Sequence, residues 1–429
     1  MPPLPVSEVL DKLLTALETR SGALLVAPPG AGKSTWLPLQ LLSRVPDNGK
    51  ILLLEPRRLA ARNVARRLAE NLGESTGQTI GYRMRGESSC GPDTRLEVVT
   101  EGILTRMLQQ DPELNGVSLV ILDEFHERSL QADTALALLL DVQQGLRDDL
   151  KLLLMSATPD YQRLSVLLPE VPVIISQGRS FPVERHFIPL STRLPFAAAV
   201  AREATCLLNE HQGSMLIFLP GEREIMAVKQ ELLSRLHDAT DIFPLYGAMS
   251  LTAQQQAIAP SPEGRRKVVL ATNIAETSLT IDGIRLVVDS GLERAVRYDT
   301  KSGVSVLQTQ RISQASMVQR AGRAGRLTAG FCWHLLSQEQ AERAAAVSEP
   351  EIINSELSAV MLDILAWGCR EMSQLQWLDL PPQKRQQAAL QLLQQLGATD
   401  AGHQLTATGR KMAALGTEPR LAAIRCAAG

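Results

Sequence analysis

The stretch that decides the fold reads Ala27-Pro28-Pro29-Gly30-Ala31-Gly32-Lys33-Ser34-Thr35. It follows an apolar, β-prone run at residues 22–27, and a helical pattern comes after it. Glycines let a tight loop point its backbone N–H groups inward, and the start of a helix adds a positive partial charge. A lysine and a serine behind such a loop suit phosphate oxygens and a bound Mg²⁺. The stretch therefore predicts a P-loop in which all nine residues bind nucleotide. A purely structural glycine turn fits this pattern less well.

A second motif stands at the end of another apolar run, where Asp123 and Glu124 follow residues 119–122. Ligands of open parallel sheets bind at the carboxyl ends of the strands. We expect Asp123 to hold Mg²⁺ together with Ser34, and Glu124 to orient or deprotonate an attacking water. Alone, the pair is equally compatible with a solvated acidic turn. Beside a P-loop, it favours hydrolysis of a nucleoside triphosphate.

Short apolar runs alternate with helical patterns, which indicates an α/β fold with parallel sheets covered on both faces. One series of predicted strands covers residues 22–27, 51–54, 96–100, 119–122, 152–155 and 171–176, and a second covers 215–219, 242–246, 268–272, 286–289 and 331–335. The proline-containing residues 177–194 between the two series are interpreted as a linker. Residues 294–309 are predicted to form a β-hairpin. From about residue 348 the pattern is helical, with helices predicted at 352–367, 388–396 and 421–428.

The composition limits the class of protein. The chain has 429 residues, of which 45% are hydrophobic and 21% charged, which excludes a disordered chain. A formal net charge of −2 excludes a nonspecific polycation, but not a local basic groove. Five scattered cysteines show no spacing typical of zinc or of a disulfide framework. With no secretory signal and no apolar run of about 18 residues, we expect a cytoplasmic protein without a membrane partner.

A third motif lies in the second α/β series, where Gln319-Arg320-Ala321-Gly322-Arg323-Ala324-Gly325-Arg326 follows the predicted hairpin. On a helix, Arg323 and Arg326 would share one face because they are three residues apart. Such a face can present arginine fingers to a γ-phosphate, an effect typically worth ~10³–10⁵ in rate. A solvated basic helix is the alternative.

These motifs together resemble those of superfamily 2 helicases of the DEAH/RHA group, in a variant that reads Asp123-Glu124-Phe125-His126. Further stretches resemble the family's remaining motifs in the same order: residues 55–61, 100–104, 156–158, 218–221 and 271–278. The resemblance implies two tandem RecA-like P-loop domains at 1–178 and 179–345, and a small, mainly helical winged-helix-like domain at 346–416. Residues 417–429 resemble the start of the family's ratchet domain, so we expect the chain to be truncated at its C-terminus.

The resemblance also implies a role for each matched residue. Gln319 would position the attacking water with Glu124, Arg323 and Arg326 would be the fingers, and Lys33 would hold the phosphates. Coupling of nucleotide state to domain closure is implied for His126, Ser156 and Thr158. Contact with the nucleic-acid backbone is implied for Arg57, Arg58, Thr100, Gly102, Gly221, Thr272 and Asn273. The family stacks adenine between an arginine, here Arg67, and an aromatic residue. Ala257, Ile258 and Ala259 stand where that aromatic is expected, which predicts loose base selectivity.

The predicted function is therefore that of an ATP-dependent helicase or translocase. It would use ATP and Mg²⁺ and act on single-stranded nucleic acid, for which RNA is expected rather than DNA. An NTP-driven remodeller of protein or ribonucleoprotein without processive unwinding is the alternative, since it needs the same ATPase residues. A nucleotide-binding module without turnover is disfavoured because the catalytic lysine, carboxylates and arginines are all present.

Overall fold

The computed structural model describes residues 4–46, 49–158, 161–178, 181–236, 239–277, 281–299 and 302–428. The chain divides into two compact units. Unit 1 comprises Met1–Gly178, Arg297–Val306 and Glu349–Gly429, and unit 2 comprises Arg179–Val296 and Leu307–Ser348. Ser278 of the predicted motifs, and Thr300 and Lys301 of the predicted hairpin, lie outside the described residues. Within the described part of the chain, no helix combines the length and the apolar character needed to cross a bilayer.

Unit 1 is built on a sheet of eight described strands in the order β4-β3-β5-β2-β6-β7-β1-β8. The strands are β1 (Gly22–Val26), β2 (Lys50–Leu54), β3 (Ile80–Met84), β4 (Glu87–Ser89), β5 (Leu96–Val99), β6 (Val117–Leu122), β7 (Lys151–Ser156) and β8 (Val173–Ile175). Neighbouring strands run parallel, except that β4 is antiparallel to β3. The six strands predicted here are confirmed, while β3 and β4 were not predicted.

Helices cover both faces of this sheet. They are α1 (Leu10–Thr19), α2 (Leu37–Leu42), α3 (Arg58–Leu72), α4 (Glu101–Gln110), α5 (Leu130–Gly145) and α6 (Gln162–Leu167), with 3₁₀ turns at Pro5–Val9 and Phe125–Glu127. Along β1, Leu24 and Val26 belong to the core on one face, and Ala23 and Leu25 to the core on the other. Successive side chains of a strand point to opposite faces, so a strand that is apolar throughout must be covered twice.

The tail of the chain continues one of these two cores. Its helices are α12 (Glu351–Asn354), α13 (Ser358–Trp367), α14 (Gln383–Gln395), α15 (Ala407–Leu415) and α16 (Pro419–Ala428), with a 3₁₀ turn at Met372–Gln374. Val360, Leu393 and Met412 share a buried cluster with Leu54 and Leu138 of the first domain. The helix predicted at 352–367 is interrupted, because the chain is extended at Ser355 between α12 and α13.

Unit 2 contains a six-stranded parallel sheet among its described residues, in the order β11-β12-β10-β13-β16-β9. The strands are β9 (Val183–Phe187), β10 (Ser214–Phe218), β11 (Thr240–Leu245), β12 (Arg266–Ala271), β13 (Ile284–Asp289) and β16 (Gly330–His334). Its helices are α7 (Phe196–Glu210), α8 (Glu222–Leu233), α9 (Leu251–Ile258), α10 (Gln314–Gly322) and α11 (Gln338–Glu342), with a 3₁₀ turn at Asn273–Ala275.

The structure also tests two further predictions, the β-hairpin at residues 294–309 and the linker at residues 177–194. The hairpin is confirmed, because β14 (Leu292–Asp299) pairs with β15 (Val304–Arg311) in a separate two-stranded sheet. The interpretation of residues 177–194 wholly as a linker is wrong, because they contain β9. Polar residues and flanking prolines hide this strand from pattern analysis, yet an edge strand needs only one partner, here β16.

Candidate nucleotide and nucleic-acid site

The carboxyl ends of five neighbouring strands carry the predicted motifs of unit 1. In sheet order these strands are β5, β2, β6, β7 and β1. Thr100 follows β5, Arg57 comes after β2, Asp123 follows β6, Ser156 ends β7, and Ala27 follows β1. One edge of the sheet therefore carries the nucleic-acid candidates on one side and the P-loop on the other. The residues predicted to couple the two lie between them.

The P-loop needs both of its glycines for conformational reasons. Gly30 and Gly32 have φ angles of +84° and +92°, a region that L side chains rarely adopt. A Cβ on Gly32 would also lie 2.8 Å from Leu4 Cδ1, whereas none of the described atoms lies within 4 Å of one on Gly30. The Ala27 amide anchors the start of the loop by donating to the Ser156 carbonyl at 2.9 Å.

The helix predicted after the P-loop begins at Leu37, four residues beyond Lys33. Residues 33–36 form turns, and the regular helix α2 begins at Leu37. The Leu37 amide bonds to the carbonyl of Gly32 at 3.1 Å, five residues back, which widens the turn. Pro38 then has no N–H to continue a helical ladder. The positive end of the helix dipole therefore lies four residues beyond Lys33.

The side chains of the P-loop meet the two carboxylates after β6. The Lys33 ammonium lies 3.0 Å from Glu124 Oε2 and 3.8 Å from Asp123 Oδ1, and the Ser34 hydroxyl donates to Asp123. Burial by itself would lower the pKa of Lys33, but the charges of Glu124 and Asp123 outweigh it and raise that pKa. Burial raises the pKa of Asp123 to about 6, against the opposing effect of Lys33. The four residues that the sequence assigns to phosphate, Mg²⁺ and water thus form one buried cluster.

Glu124 is held in a strained backbone conformation. Its φ and ψ are 49° and 33°, and its amide donates to Asp123 Oδ1 at 2.8 Å. A non-glycine residue in this left-handed region costs about 1–3 kcal/mol, and such residues cluster at functional sites. The turn directs the Glu124 carboxylate towards Lys33 rather than along the strand.

The predicted coupling residues connect this turn to the end of β7. His126 Nδ1 accepts a hydrogen bond from the Ala157 amide at 3.2 Å and lies 3.5 Å from Glu124 Oε2. The Ser156 hydroxyl donates to the Thr158 carbonyl at 3.1 Å, and the Thr158 amide donates to Ser156 Oγ at 3.2 Å. A shift of the Glu124 turn would therefore be transmitted through His126 to the loop after β7.

The nucleic-acid candidates of unit 1 lie around the ends of β2 and β5. Arg57 pairs with Glu127 at 3.2 Å, and Arg58 is exposed at the start of α3. Thr100 is half-buried just before α4, and Gly102 is exposed, with no described atom within 4 Å of an added Cβ. Backbone and side-chain donors are thus accessible at this corner of the sheet.

The residues predicted to surround the adenine lie on helix α3 of unit 1 and at the end of helix α9 of unit 2. Arg67 lies on α3 with a 61% exposed side chain, 3.7 Å from Glu70. In unit 2, the carbonyls of Ala257, Ile258 and Ala259 surround the Lys267 ammonium at 3.4, 3.3 and 2.7 Å. The segment that lacks the expected aromatic is therefore the end of α9, capped by a lysine. The predicted loose base selectivity stays a prediction.

The third motif is only partly helical. Gln319 is half-buried within α10, but α10 ends at Gly322, so Arg323 and Arg326 do not share a helical face as predicted. Beyond this end, the Gly325 carbonyl accepts the Phe181 amide at 3.0 Å, and a Cβ on Gly325 would lie 2.6 Å from the Phe181 carbonyl oxygen. Arg323 is buried, and its guanidinium donates to the carbonyl of Glu276.

A buried network centred on Arg320 was not assigned a role from the sequence. Arg320 donates to Glu276 at 2.9 Å and Asp289 at 2.8 Å, and its guanidinium lies 4.8 Å from the centroid of the Phe218 ring. His334 Nδ1 lies 2.8 Å from the second oxygen of Asp289. Burial raises the pKa of Asp289, but Arg320 and His334 outweigh it and hold that pKa below its ordinary value. The signal that could have pointed to Asp289 is an acid at the end of an apolar strand, a pattern similar to that of Asp123.

The residues of unit 2 that were predicted to contact nucleic acid lie at the carboxyl ends of two adjacent strands. Gly221 precedes α8 shortly after β10, and the Arg294 guanidinium would lie 2.8 Å from a Cβ at this position. Thr272 follows β12, and the exposed Asn273 begins a 3₁₀ turn. Because β10 and β12 are neighbours, these residues share one edge of the sheet.

The donor set can be tested against Mg²⁺ and a nucleoside triphosphate. Asp123 and Ser34 offer hard oxygen ligands beside a loop with two left-handed glycines and a lysine. The described residues contain no group of three or more His, Cys, Asp or Glu that could hold a metal by themselves. Mg²⁺ is usually held by one or two protein oxygens together with substrate phosphates and water, and Asp123 and Ser34 supply two such oxygens. The residues present fit both groups.

Comparison with known families agrees with this geometry. Residues 7–166 match the DEAD/DEAH box helicase family, and residues 199–328 match the helicase conserved C-terminal domain. Residues 389–416 match the helicase associated domain (HA2), winged-helix. The three matches follow the chain in the order in which the resembling motifs occur.

Individual relatives cover almost the whole chain. It is 63% identical to the ATP-dependent RNA helicase HrpB of Escherichia coli, over 99% of this chain and 52% of that protein. It is 37% identical to the ATP-dependent RNA helicase HrpA of Escherichia coli, over 98% of this chain and 33% of that protein. Identity to the probable ATP-dependent RNA helicase DHR2 of Saccharomyces cerevisiae is 33%, over 98% of this chain and 59% of that protein. The chain thus spans about half the length of the first of these relatives.

Solved structures give the same result. The crystal structure of Escherichia coli DEAH/RHA helicase HrpB matches with a TM-score of 0.95 and 62% identity, over 99% of this chain and 54% of that one. A second structure of Escherichia coli HrpB, described as a DExH-box NTPase, matches with a TM-score of 0.91 and 62% identity, over 100% of this chain and 53% of that one. The motifs, their positions on two parallel sheets and these similarities show that the chain contains a DEAD/DEAH box helicase domain and a helicase conserved C-terminal domain, followed by a winged-helix region.

Proposed function

We propose that this chain is an ATP-dependent helicase or translocase that acts on single-stranded nucleic acid, with RNA rather than DNA as the proposed substrate. The observation that carries the proposal is the cluster of Lys33, Ser34, Asp123 and Glu124, with Lys33 Nζ 3.0 Å from Glu124. The printed names of HrpB and HrpA as ATP-dependent RNA helicases support the choice of substrate. The protein is proposed to be cytoplasmic, with domains bounded as predicted from the sequence.

The proposed roles follow from charge and position. Lys33 exchanges its carboxylate partners for the phosphates, while Ser34 and Asp123 hold Mg²⁺, which shields the negative charge of the phosphates when bound. Glu124 accepts the proton of the attacking water, with Gln319 helping to orient that water. Arg323 and Arg326 are proposed to neutralise the charge that develops on the γ-phosphate.

The remaining candidates are proposed to serve coupling and binding. His126, Ser156 and Thr158 relay the state of the Glu124 turn to the rest of the molecule. The candidates at the strand ends hold the phosphate backbone of the strand without reading its sequence. These are Arg57, Arg58, Thr100, Gly102, Gly221, Thr272 and Asn273, and Arg67 is proposed to lie against the base of the nucleotide.

The test is steady-state ATP hydrolysis without polymer, with poly(U) RNA and with single-stranded DNA. Glu124→Gln is expected to lower turnover by about 10²–10⁴-fold, because loss of a general base costs that much, while ATP binding persists. Glu113→Gln makes the same chemical change at an exposed site and should hydrolyse ATP at the unchanged rate. A rate of ATP hydrolysis that Glu124→Gln does not lower would contradict the proposed role of Glu124 as the acceptor of the proton. Stimulation by neither polymer would contradict the assigned substrate.

A further inference from the structure

A basic cavity of about 510 Å³ lies in unit 1 between α4 and the helical tail of the chain. Three arginines line it, namely Arg106 from α4, Arg370 after α13 and Arg410 from α15, together with His403. All of its lining residues are described, and none of them carries a carboxylate. The other polar side chains in the lining include Gln109, whose amide donates to Asp363 at 2.7 Å.

Among the described residues, the three guanidiniums form no ion pair with a carboxylate. Within the described residues, no carboxylate oxygen lies within 4.0 Å of Arg106, Arg370 or Arg410, although many other arginines of this chain form such pairs. Arg410 donates to the Leu405 carbonyl at 3.1 Å, which holds its side chain at the rim. A concave site lined by charges of one sign concentrates counter-ions, and the planar arginine fork matches phosphate oxygens.

The cavity continues the surface on which the motif of Thr100 and Gly102 lies. Gly102, Arg106 and Gln110 are spaced four residues apart on α4, so they share one face of that helix. Gly102 and Gln110 are exposed and Arg106 is half-buried. The ten residues of α4 span ~15 Å, so a strand held at the start of the helix reaches the cavity along this face.

The lining selects the backbone of a strand rather than a base. No tryptophan, tyrosine or phenylalanine is among its residues, all of which are described, and the imidazole of His403 is the one aromatic ring among them. Three guanidiniums beside a single imidazole favour contacts with phosphates, which hold a strand without reading its sequence. We propose that this cavity binds phosphodiester groups of the single strand and extends the strand's path from Thr100 and Gly102 onto the helical tail. The proposal rests on the proposed function, which supplies the strand.

The experiment uses the full chain and fluorescent oligouridylates of increasing length. Anisotropy gives the Kd and its salt dependence for the unaltered protein, for Arg106→Gln with Arg410→Gln, and for a control with Arg44→Gln and Arg193→Gln. Both pairs remove two positive charges, but the control arginines are exposed and lie outside the cavity. The cavity variant should lower the slope of log affinity against log salt by about 1.4, since each lost phosphate contact contributes about 0.7. The affinity of the cavity variant should also stop rising at a shorter oligouridylate length than the affinity of the unaltered protein.

The outcomes separate the possibilities. Arg106→Lys with Arg410→Lys should restore most of the slope, and basal ATP hydrolysis should be the same in all variants. A cavity variant with the salt slope and length dependence of the control would overturn the proposal while leaving the proposed function intact. Tripolyphosphate that protects the cavity from arginine-modifying phenylglyoxal, without any effect of the cavity variant on strand binding, would identify a small phosphate ligand instead and also overturn it. Failure of the unaltered protein to bind any strand would refute the proposed function itself.

Discussion

At the scale of single residues, Gly30 and Gly32 differ in how a larger side chain would destabilise the P-loop, by backbone strain alone or by strain together with a steric clash. Both have positive φ, but a Cβ has open space at Gly30 and meets Leu4 at Gly32. Gly30→Ala should lower the free energy of unfolding by about 1–2 kcal/mol, the cost of a left-handed alanine. Gly32→Ala should lower it further, because the 3₁₀ turn at Pro5–Val9 must also shift.

Thermal unfolding without nucleotide checks this order of stability. The Val6 amide donates to the Ala31 carbonyl at 3.1 Å, so the displaced turn is the one that holds the middle of the loop. Equal unfolding temperatures for the two variants would mean that the contact with Leu4 does not affect the stability of the protein.

The residue scale is also where sequence analysis was most informative. Lys33, Ser34, Asp123 and Glu124 were assigned together, and the structure brings them into one cluster. The burial of Arg320 could not be predicted from the sequence, because an arginine in a polar segment has the same local pattern whether it is exposed to solvent or buried in an ion pair. Its partner Asp289 is 31 residues away, and only the fold brings the two together.

At the scale of elements, Asp363 links α13 to α4. Burial raises its pKa to about 6, and the amide of Gln109 opposes that shift only in part. A carboxyl group whose pKa is raised on folding stabilises the protein below its unfolded pKa of about 3.8, and this stability is lost as pH rises through 6. Asp363→Asn keeps an acceptor for Gln109 and removes the titration.

The variant should therefore unfold at higher urea than the parent at pH 7.5 and at nearly the same urea at pH 4. A raised pKa of this size corresponds to an upper limit of about 3 kcal/mol. Urea midpoints at the two pH values measure it, with Asp148→Asn, at an exposed position, as the matched control. A gain from Asp363→Asn that is the same at both pH values would contradict titration as its cause.

Elements also show why some boundaries escaped prediction. The segment after α10 packs against Phe181 through Gly325, and at the start of α2 the Leu37 amide bonds to the Gly32 carbonyl, just before Pro38. β9 depends on pairing with β16 rather than on its own apolar pattern. Local periodicity contains none of these contacts.

At the scale of the whole molecule, Asp379 ties the tail of the chain to the first domain. It lies 2.7 Å from Arg128 Nη2 and also pairs with Arg163, and its side chain is only 13% exposed. Arg128 also contacts Asp133 at 2.9 Å, so both sides of this ion network are anchored. Removing one partner of a buried pair leaves the other charge uncompensated, at a cost of about 3–5 kcal/mol.

Asp379→Asn is therefore expected to make the tail accessible to proteases before the rest of the chain unfolds. Limited trypsin digestion followed by mass determination of the fragments measures this. Glu339→Gln breaks an exposed pair with Arg343 and should leave the digestion pattern unchanged. Identical patterns for Asp379→Asn and the parent would show that the shared apolar core alone holds the tail.

The sequence by itself determined the class of fold and the order of motifs, and it singled out the four residues that meet in the cluster of Lys33, Ser34, Asp123 and Glu124. Strand runs, glycine spacing and acidic strand ends are local patterns, and each reflects a local requirement of backbone or charge. The tertiary structure alone decided that β7 lies between β6 and β1, that Arg320 is buried among Asp289, Glu276 and Phe218, and that Arg106 shares a cavity with Arg410. These features join distant parts of the chain, and contacts between distant residues arise from packing, which no local pattern encodes.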